Sequence, residues 1–210
     1  MTRQVLLATR NTKKLAELRR ILAEAIESGT GEGLDVDVIG LDSVAAYDEA
    51  PETGATFAEN ALLKASEAVR HSGLLAVADD SGITVDALNG MPGVLSARWA
   101  GTAKDDDKNL ELVLEQLADV PEDRLGAAFV CAAAFVTPTG ERHVSEGVMP
   151  GRLIRQRRGT NGFGYDPIFV PEGFELTSAE LEPVDKDAIS HRGKALRSLL
   201  PQLLNALGAR

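Results

Sequence analysis

The fold is decided first by residues 4–27, which read QVLLATRNTKKLAELRRILAEAIE. Val5 to Ala8 is a short apolar run between polar residues, and such a run predicts a buried strand. The apolar residues that follow recur at helical spacing, and Asn11 or Thr12 is placed to cap the start of that helix. These residues are Leu15, Leu18, Ile21, Leu22 and Ile26. The stretch is therefore predicted to form a strand followed directly by a helix.

The same alternation continues along the chain. Four further runs predict strands, at residues 36–39, 74–78, 127–136 and 142–148. The last two flank a turn signal at residues 137–140, which predicts a hairpin. Alternating strands and helices followed by a hairpin are typical of a mixed sheet. The sequence therefore predicts a single α/β domain over residues 1–210, with a mixed β-sheet and flanking helices.

Three further helices are predicted from their caps and apolar faces. The capping-box pattern at residues 56–59 opens a helix that runs to about Arg70. Asp105 to Asp107 precede the next helix, and we interpret them as cap and dipole residues rather than metal ligands. The last helix begins near Ser190, and Pro201 predicts a kink or a break within it.

The composition argues against several classes of protein. The 210 residues carry a formal net charge of -10, and an acidic surface repels polyanions, so we expect no nucleic-acid partner. Cys131 is the only cysteine, so no intramolecular disulfide can form, which favours a reducing compartment. The first apolar run is too short for a signal peptide, and no run approaches the length of a membrane span. We therefore expect a cytoplasmic protein.

The polar segment Thr9 to Lys14 lies between the first strand and the first helix. Free backbone N–H groups at a helix start attract phosphate, and Lys13 and Lys14 add positive charge. The glycines of a Walker loop are missing. Two interpretations stay open here: phosphate binding, and ordinary helix capping with solvated lysines.

Asp79 and Asp80 directly follow the apolar run 74–78, and Ser81 and Gly82 come next. Adjacent carboxylates repel each other, and a bound divalent cation or a shared proton would relieve that repulsion. Gly82 permits a sharp turn that would leave the acids at the sheet edge, where α/β proteins form sites. We favour a functional site over the alternative, a solvated turn.

Two later segments carry residues suited to ligand binding. Residues 159–167, GTNGFGYDP, place glycines around two aromatic residues, which suits either close approach to a ring or a plain glycine-rich loop. Residues 185–193, DKDAISHRG, place His191 and Arg192 at a predicted helix start, where the dipole disfavours cations and an external acceptor would stabilise them. Arginines between residues 152 and 158 favour either phosphate steering or a solvated basic face.

Taken together, these segments resemble the motifs of the Ham1/RdgB family of inosine triphosphate pyrophosphatases, over essentially the whole chain. The matching motifs are Thr9-Arg10-Asn11-Thr12-Lys13-Lys14; Glu52-Thr53-Gly54 with Phe57, Glu59-Asn60-Ala61 and Lys64; Ala78-Asp79-Asp80-Ser81-Gly82; Pro92-Gly93 with Ser96-Ala97-Arg98; Gly162-Phe163-Gly164-Tyr165-Asp166-Pro167; and Ser190-His191-Arg192-Gly193. A glycine-rich insertion at residues 29–33 and the basic run 155–158 depart from the family but touch no motif.

The resemblance implies an elongated α/β fold with two lobes around a central substrate cleft, usually as a homodimer. It implies Mg²⁺ as cofactor and hydrolysis of ITP, dITP or XTP to the monophosphate and pyrophosphate. Such an activity removes non-canonical purine nucleotides from the precursor pool.

The resemblance also implies site roles. Asp80 is the general base and a metal ligand, Glu52 is a second metal ligand, and Lys64 joins Asp80 in the catalytic group. Phosphate oxygens are held by Lys14, Ser81 and Lys186 with help from Thr9 and Asn11, in a motif that also contains Arg10, Thr12 and Lys13. The base is approached by Phe163, Gly164 and Tyr165, and its polar edge is read by Asp166, His191 and Arg192.

Two other functional classes stay open. A nucleotide-sensing module without turnover is disfavoured by the acidic pair, because carboxylates beside phosphates are unfavourable unless a metal intervenes. A phosphomonoesterase with Asp80 as nucleophile would release inorganic phosphate instead of pyrophosphate. The motifs of the Maf-type nucleotide pyrophosphatases do not match these segments.

Overall fold

The computed structural model describes residues 2–29, 33–48 and 51–208. The strands in this part are β1 (Arg3–Leu7), β2 (Val36–Gly40), β3 (Leu75–Val85), β4 (Gly126–Val136), β5 (Arg142–Leu153) and β6 (Phe169–Pro171). The helices are α1 (Thr12–Glu27), α2 (Phe57–Ser72), α3 (Asp106–Gln116), α4 (Pro183–Ile189) and α5 (His191–Ala206). Of the glycine-rich loop at residues 29–33, residues 30–32 lie outside the described part. None of the helices described is long and apolar enough to cross a membrane.

The strands form one sheet in the order β2-β1-β3-β4-β5-β6. β1 is parallel to both of its neighbours, and its residue Leu7 pairs with Gly40 of β2 and with Val77 of β3. β6 is antiparallel to β5. The predicted mixed sheet with flanking helices is therefore confirmed. The short elements β6 and α4 were not predicted.

Contacts along the chain divide it into two compact units. The first comprises Met1–Asp80, Cys131–Gly147 and Arg192–Arg210, and the second comprises Ser81–Val130 and Val148–His191.

The core of the first unit reflects the alternation of side chains along its strands. Val5, Leu7, Leu75 and Val77 pack with residues of α1 and α5, among them Leu18, Ile21, Leu199 and Leu203. Leu6 and Ala76 pack instead with Ala68 of α2. Because successive strand residues point to opposite faces, α1 and α5 cover the face of the odd-numbered residues and α2 covers the other. Each buried leucine contributes about 1.5–3 kcal/mol, which holds these helices in place.

The second unit has its own core. Ile83 and Val85 at the end of β3 pack with the apolar face of α3 and with Phe169 of β6. The face of α3 that the sequence predicted is confirmed: Leu110, Val113 and Leu117 are buried.

The helix starts follow the predicted caps. Asn11, Thr56 and Asp105 each accept a hydrogen bond from a backbone N–H in the first turn of α1, α2 and α3, respectively. Such caps typically contribute about 1 kcal/mol each. Pro201 lies inside α5, which runs from His191 to Ala206, so of the two predicted alternatives, a kink or a break, the break is wrong.

Residues 79–82 do not form the turn that the sequence predicted. β3 continues through them to Val85, and it lies between β1 and β4 rather than at the sheet edge. Gly82 is a point of close packing, because a Cβ atom there would lie 2.3 Å from Oγ of Ser96. Sheet pairing and this contact therefore override the turn-forming composition of the segment.

Candidate active site

The acidic pair of β3 lies just beyond the end of β1. Ala8 N donates to the carbonyl oxygen of Val77, after which the chain leaves β1, whereas β3 continues into Asp79 and Asp80. The carboxyl end of a parallel strand is the usual place for a ligand site in α/β proteins. Because the two acids are adjacent in a strand, their side chains point to opposite faces of the sheet.

Asp80 lies on the face covered by α2 and contacts two side chains of that helix. Lys64 Nζ is 2.8 Å from Asp80 Oδ1, and Asn60 Nδ2 donates to Asp80 Oδ2 at 3.0 Å. Asn60 and Lys64 are one helical turn apart, so both reach the same carboxylate. Lys64 Nζ is also 2.5 Å from Glu52 Oε1. Asp80 is therefore oriented through both of its carboxylate oxygens, and Glu52 pairs with the same lysine, Lys64.

Asp79 lies on the opposite face, between the starts of α1 and α5. Lys14 Nζ is 2.9 Å and Arg192 Nε is 3.1 Å from Asp79 Oδ2. The Asp79 side chain is only 4% exposed. The predicted shared proton is therefore wrong, because strand alternation points the two carboxylates to opposite faces and gives each its own cationic partner.

The two carboxyls have opposite pKa shifts. Burial alone would raise the pKa of Asp79, but Lys14 and Arg192 outweigh it and hold that pKa well below its usual range. For Asp80, burial outweighs the attraction of Lys64, so its pKa is raised. Burial opposes the charge on Lys64, but Asp80 and Glu52 outweigh it and raise the lysine pKa. Asp79 is thus an anion at neutral pH, whereas Asp80 takes up a proton more readily than an ordinary aspartate.

The described residues contain a small set of carboxylates that could bind a divalent cation. Within residues 2–29, 33–48 and 51–208, no cluster of three or more His, Cys, Asp or Glu side chains could hold a metal ion. Glu52 and Asp80 form a smaller set, two carboxylates on one ammonium. Mg²⁺ typically binds through one or two carboxylates plus substrate phosphates and water, so this set fits it.

Comparison with known proteins decides the family. The sequence profile of the Ham1 family matches residues 5–202. The chain belongs to the Ham1 family. The dITP/XTP pyrophosphatase of Nocardia farcinica is 59% identical over 200 residues, which are 95% of this chain and 94% of that protein. The crystal structure of the nucleoside-triphosphatase / dITP/XTP pyrophosphatase from Mycobacterium abscessus has 57% identity and a TM-score of 0.79, and covers 95% of this chain and 99% of that one. The Staphylococcus aureus Ham1 protein has 35% identity and a TM-score of 0.85, with coverage of 98% and 100%.

The first Ham1 motif is a helix cap in this structure. Asn11 Oδ1 accepts hydrogen bonds from the N–H groups of Lys13 and Lys14, and Thr9 Oγ1 accepts one from Asn11 N. Arg10 forms an exposed ion pair with Asp42. Thr12 and Lys13 are exposed. The capping interpretation is confirmed, except that Lys14 is paired with Asp79 rather than solvated.

The glycine-rich Ham1 motif surrounds Asp166 in the second unit. Asp166 Oδ2 accepts from Phe163 N at 2.9 Å and from Lys186 Nζ at 2.6 Å. A Cβ atom on Gly162, whose φ is +81°, would lie 2.1 Å from that same oxygen. Gly164 N donates to Asp106 Oδ2, a contact that the cap interpretation of Asp106 missed. These bonds fix the loop so that the Phe163 ring is 74% exposed.

The other residues expected to bind the base or phosphates contact protein groups in this structure. Tyr165 is a core residue whose hydroxyl donates to the carbonyl oxygen of Ser96, so its ring supports the loop rather than offering a face to a base. The ring of His191 stacks on Phe129, with centroids 5.2 Å apart. Lys186, expected to hold phosphate, is paired with Asp166. Ser81 follows the acidic pair in β3 and is half-buried.

The basic run near residue 155 is tied to neighbouring groups. Arg157 pairs with Asp107 and Glu111 of α3, and Arg158 pairs with Glu180. Arg155 donates to two backbone carbonyl oxygens. These contacts favour a structural role over phosphate steering.

Sequence reasoning missed the partners of Asp79. Nothing local links Arg192 to it, since 113 positions separate them. The alternation of side chains along β3 could have indicated the face of Asp79. If the strand continues past Ala78, Val77 and Asp79 must lie on the same face of the sheet.

Proposed function

We propose that this Ham1-family chain is a nucleoside-triphosphate pyrophosphatase that hydrolyses dITP, ITP and XTP to the monophosphate and pyrophosphate. The names of its relatives support the substrate class. One observation carries the chemistry: Asp80 is a buried carboxylate with a raised pKa, oriented by Lys64 and Asn60. A positioned carboxylate whose pKa is raised is a stronger base toward water than an ordinary aspartate.

Asp80 performs the proton transfer. Hydrolysis between the α- and β-phosphates requires a water molecule that loses a proton as its oxygen bonds to phosphorus. Asp80 accepts that proton on a carboxylate oxygen, and burial favours the protonated form that results. Lys64 and Asn60 hold the carboxylate in one orientation throughout, which reduces the entropy cost of aligning it with water.

Mg²⁺ is the proposed cofactor, with Glu52 and Asp80 as the residues that would hold it. When bound, the ion would neutralise phosphate charge and orient phosphate oxygens. Lys64 offsets the charge of only one of the two carboxylates, so a net negative charge remains beside the triphosphate unless the ion is bound.

Nucleotide contacts are proposed for both units. In the first unit, Lys14 binds a phosphate oxygen in addition to Asp79, with help from Thr9 to Lys13 of the same motif. Ser81, the first residue of the second unit, holds another phosphate oxygen. In the second unit, the exposed Phe163 packs against the base, Gly164, Tyr165, Asp166 and His191 shape its surroundings, and Lys186 holds a phosphate oxygen. Arg192 reads the 6-oxo group of the base, a role that stays a prediction alongside its bond to Asp79.

We also propose that residues 1–210 act as one domain, in a cytoplasmic homodimer without a nucleic-acid partner. The family profile spans residues of both units, which supports one functional domain. The net charge of -10 supports the absence of a polyanionic partner.

A nucleotide panel tests the proposed function. ITP, dITP, XTP, GTP and ATP are incubated with the protein and Mg²⁺, and pyrophosphate and phosphate are measured separately. Pyrophosphate from the first three supports the proposal. Inorganic phosphate as the primary product would indicate a phosphomonoesterase, and binding without any product would indicate a sensing module.

A further inference from the structure

Asn60 makes two side-chain hydrogen bonds, one to Asp80 and one to the segment before α2. Its side chain lies in the first turn of α2 and is 0% exposed. Its Oδ1 accepts from the backbone N–H of Gly54 at 2.8 Å, and its Nδ2 donates to Asp80 Oδ2 at 3.0 Å. One amide group therefore joins the segment that carries Glu52 to the carboxylate of Asp80.

The two partners fix the orientation of the amide. A backbone N–H can only donate, so it must face the amide oxygen, and an ionised carboxylate can only accept, so it must face the NH₂ group. A rotated amide would lose both bonds inside a buried space, and unsatisfied buried polar groups are costly. Asn60 is thus held in one orientation by the elements that it connects.

The segment before α2 is built to approach Asn60 closely. A Cβ atom on Gly54 would lie 2.7 Å from Asn60 Oδ1, so a larger residue would separate the two. Ala55 N donates to Glu59 Oε2 at 2.6 Å, which adds a second attachment to α2. Glu52 lies two residues before Gly54, and its position relative to α2 therefore follows from these contacts.

We propose that Asn60 is a positioning residue that sets Glu52 and Asp80 in register on either side of Lys64. It acts through these two carboxylates rather than on the substrate. It fixes the spacing of the two carboxylates by holding the backbone two residues after Glu52 and the side chain of Asp80. The proposal rests on the proposed function for its effect on turnover, but the link itself is independent of any activity.

Asn109 supplies a matched control. It is 1% exposed and makes the same two kinds of bond, accepting from Ala100 N and donating to the carbonyl oxygen of Ala97. It contacts no carboxylate of the site. Asn60→Ala and Asn109→Ala each remove about two buried hydrogen bonds, so each should lower the thermal midpoint by about 2–8 °C.

Hydrogen exchange tests the link without any substrate. In Asn60→Ala, amides of residues 53–55 should exchange roughly tenfold faster or more, because the Gly54 N–H loses its acceptor. Asn109→Ala should leave these amides unchanged. Unchanged exchange of residues 53–55 in folded Asn60→Ala would overturn the proposal, whatever the enzyme does.

Kinetics test the consequence. Asn60→Ala should lower kcat for pyrophosphate release by roughly 10–100-fold with little change in KM, whereas Asn109→Ala should stay within about threefold of wild type. In a Glu52→Gln background, Asn60→Ala should cost clearly less than it does in wild type, because one of the two carboxylates that it aligns is already lost. Equal losses from the two asparagine variants would show a structural role only, and a full loss in the Glu52→Gln background would show that Asn60 acts on Asp80 alone; either result would overturn the register role.

Gly54→Ala is the second variant if Asn60→Ala does not fold. It leaves Asn60, Asp80 and Lys64 intact while pushing the segment away from the amide. The same faster exchange and the same fall in kcat are expected. If wild type releases no pyrophosphate but the exchange result holds, the proposed function fails and the positioning link stands.

Discussion

Replacing Asp79 with asparagine keeps the shape of the side chain but removes the charge that Lys14 and Arg192 share. Glu17 is a second anion near them, with its Oε2 3.9 Å from Arg192 Nη1. Removing one partner of a buried ion pair typically costs about 3–5 kcal/mol. The Lys14 and Arg192 side chains are 25% and 17% exposed, so water screens part of the loss. We therefore expect the free energy of unfolding to fall by about 3 kcal/mol, the lower end of that range.

Urea unfolding of wild type, Asp79→Asn and Asp80→Asn at pH 7.5 measures this difference. Asp80→Asn should lose less than about 1 kcal/mol, because Lys64 keeps Glu52 as a partner and burial already disfavours a charge at position 80. The two neighbouring substitutions should therefore separate, with Asp79→Asn losing stability and Asp80→Asn losing turnover. Equal stability losses, or an Asp79→Asn variant as stable as wild type, would refute the reasoning.

The pH dependence of the same difference has a defined sign. Folding lowers the pKa of Asp79, so the carboxylate stabilises the folded state fully above the unfolded pKa of about 3.9. This contribution is lost as the pH falls through the lower, folded value. The difference in the free energy of unfolding between wild type and Asp79→Asn should be constant from about pH 6 to 8 and should become smaller below about pH 4.

Three further predictions concern the reaction and the assembly. EDTA should stop pyrophosphate release and Mg²⁺ should restore it, because Glu52 and Asp80 otherwise face a triphosphate of like charge; full activity without metal would show that Lys14 and Lys64 suffice. Arg192→Ala should narrow the ratio of kcat/KM for ITP to that for ATP by roughly ten- to a hundredfold, since arginine can donate to a 6-oxo but not pair with a 6-amino group. An equal fall for both nucleotides would mean that Arg192 acts only through Asp79. Light scattering at micromolar concentration should give the mass of a dimer, and a monomer mass would contradict that assignment.

Much of the fold could be predicted because local signals agreed with tertiary packing. The helical spacing of Leu18, Ile21 and Leu22 and the cap at Asn11 both place α1, and Thr56 does the same for α2. Residues 79–82 show the opposite case. Their composition is typical of a turn, but hydrogen bonding to neighbouring strands and the contact of Gly82 with Ser96 keep them in β3.

The sequence identifies the charged residues of the site but not which of them pair with one another. The motifs identify Asp80, Lys64 and Glu52, which the structure brings together. The partners of a charge depend on which face of the sheet it occupies and on elements far away in sequence. Arg192 was therefore predicted to contact the base, and its bond to Asp79 is visible only in the structure.

The most direct test of the central claim is the rate of pyrophosphate release from dITP by wild type and by Asp80→Asn. Loss of a general base typically costs ~10²–10⁴-fold, and that loss should appear in kcat while the thermal midpoint stays close to that of wild type. Wild-type kcat in a folded Asp80→Asn variant would contradict the assignment of Asp80 as the base on which the proposed mechanism depends.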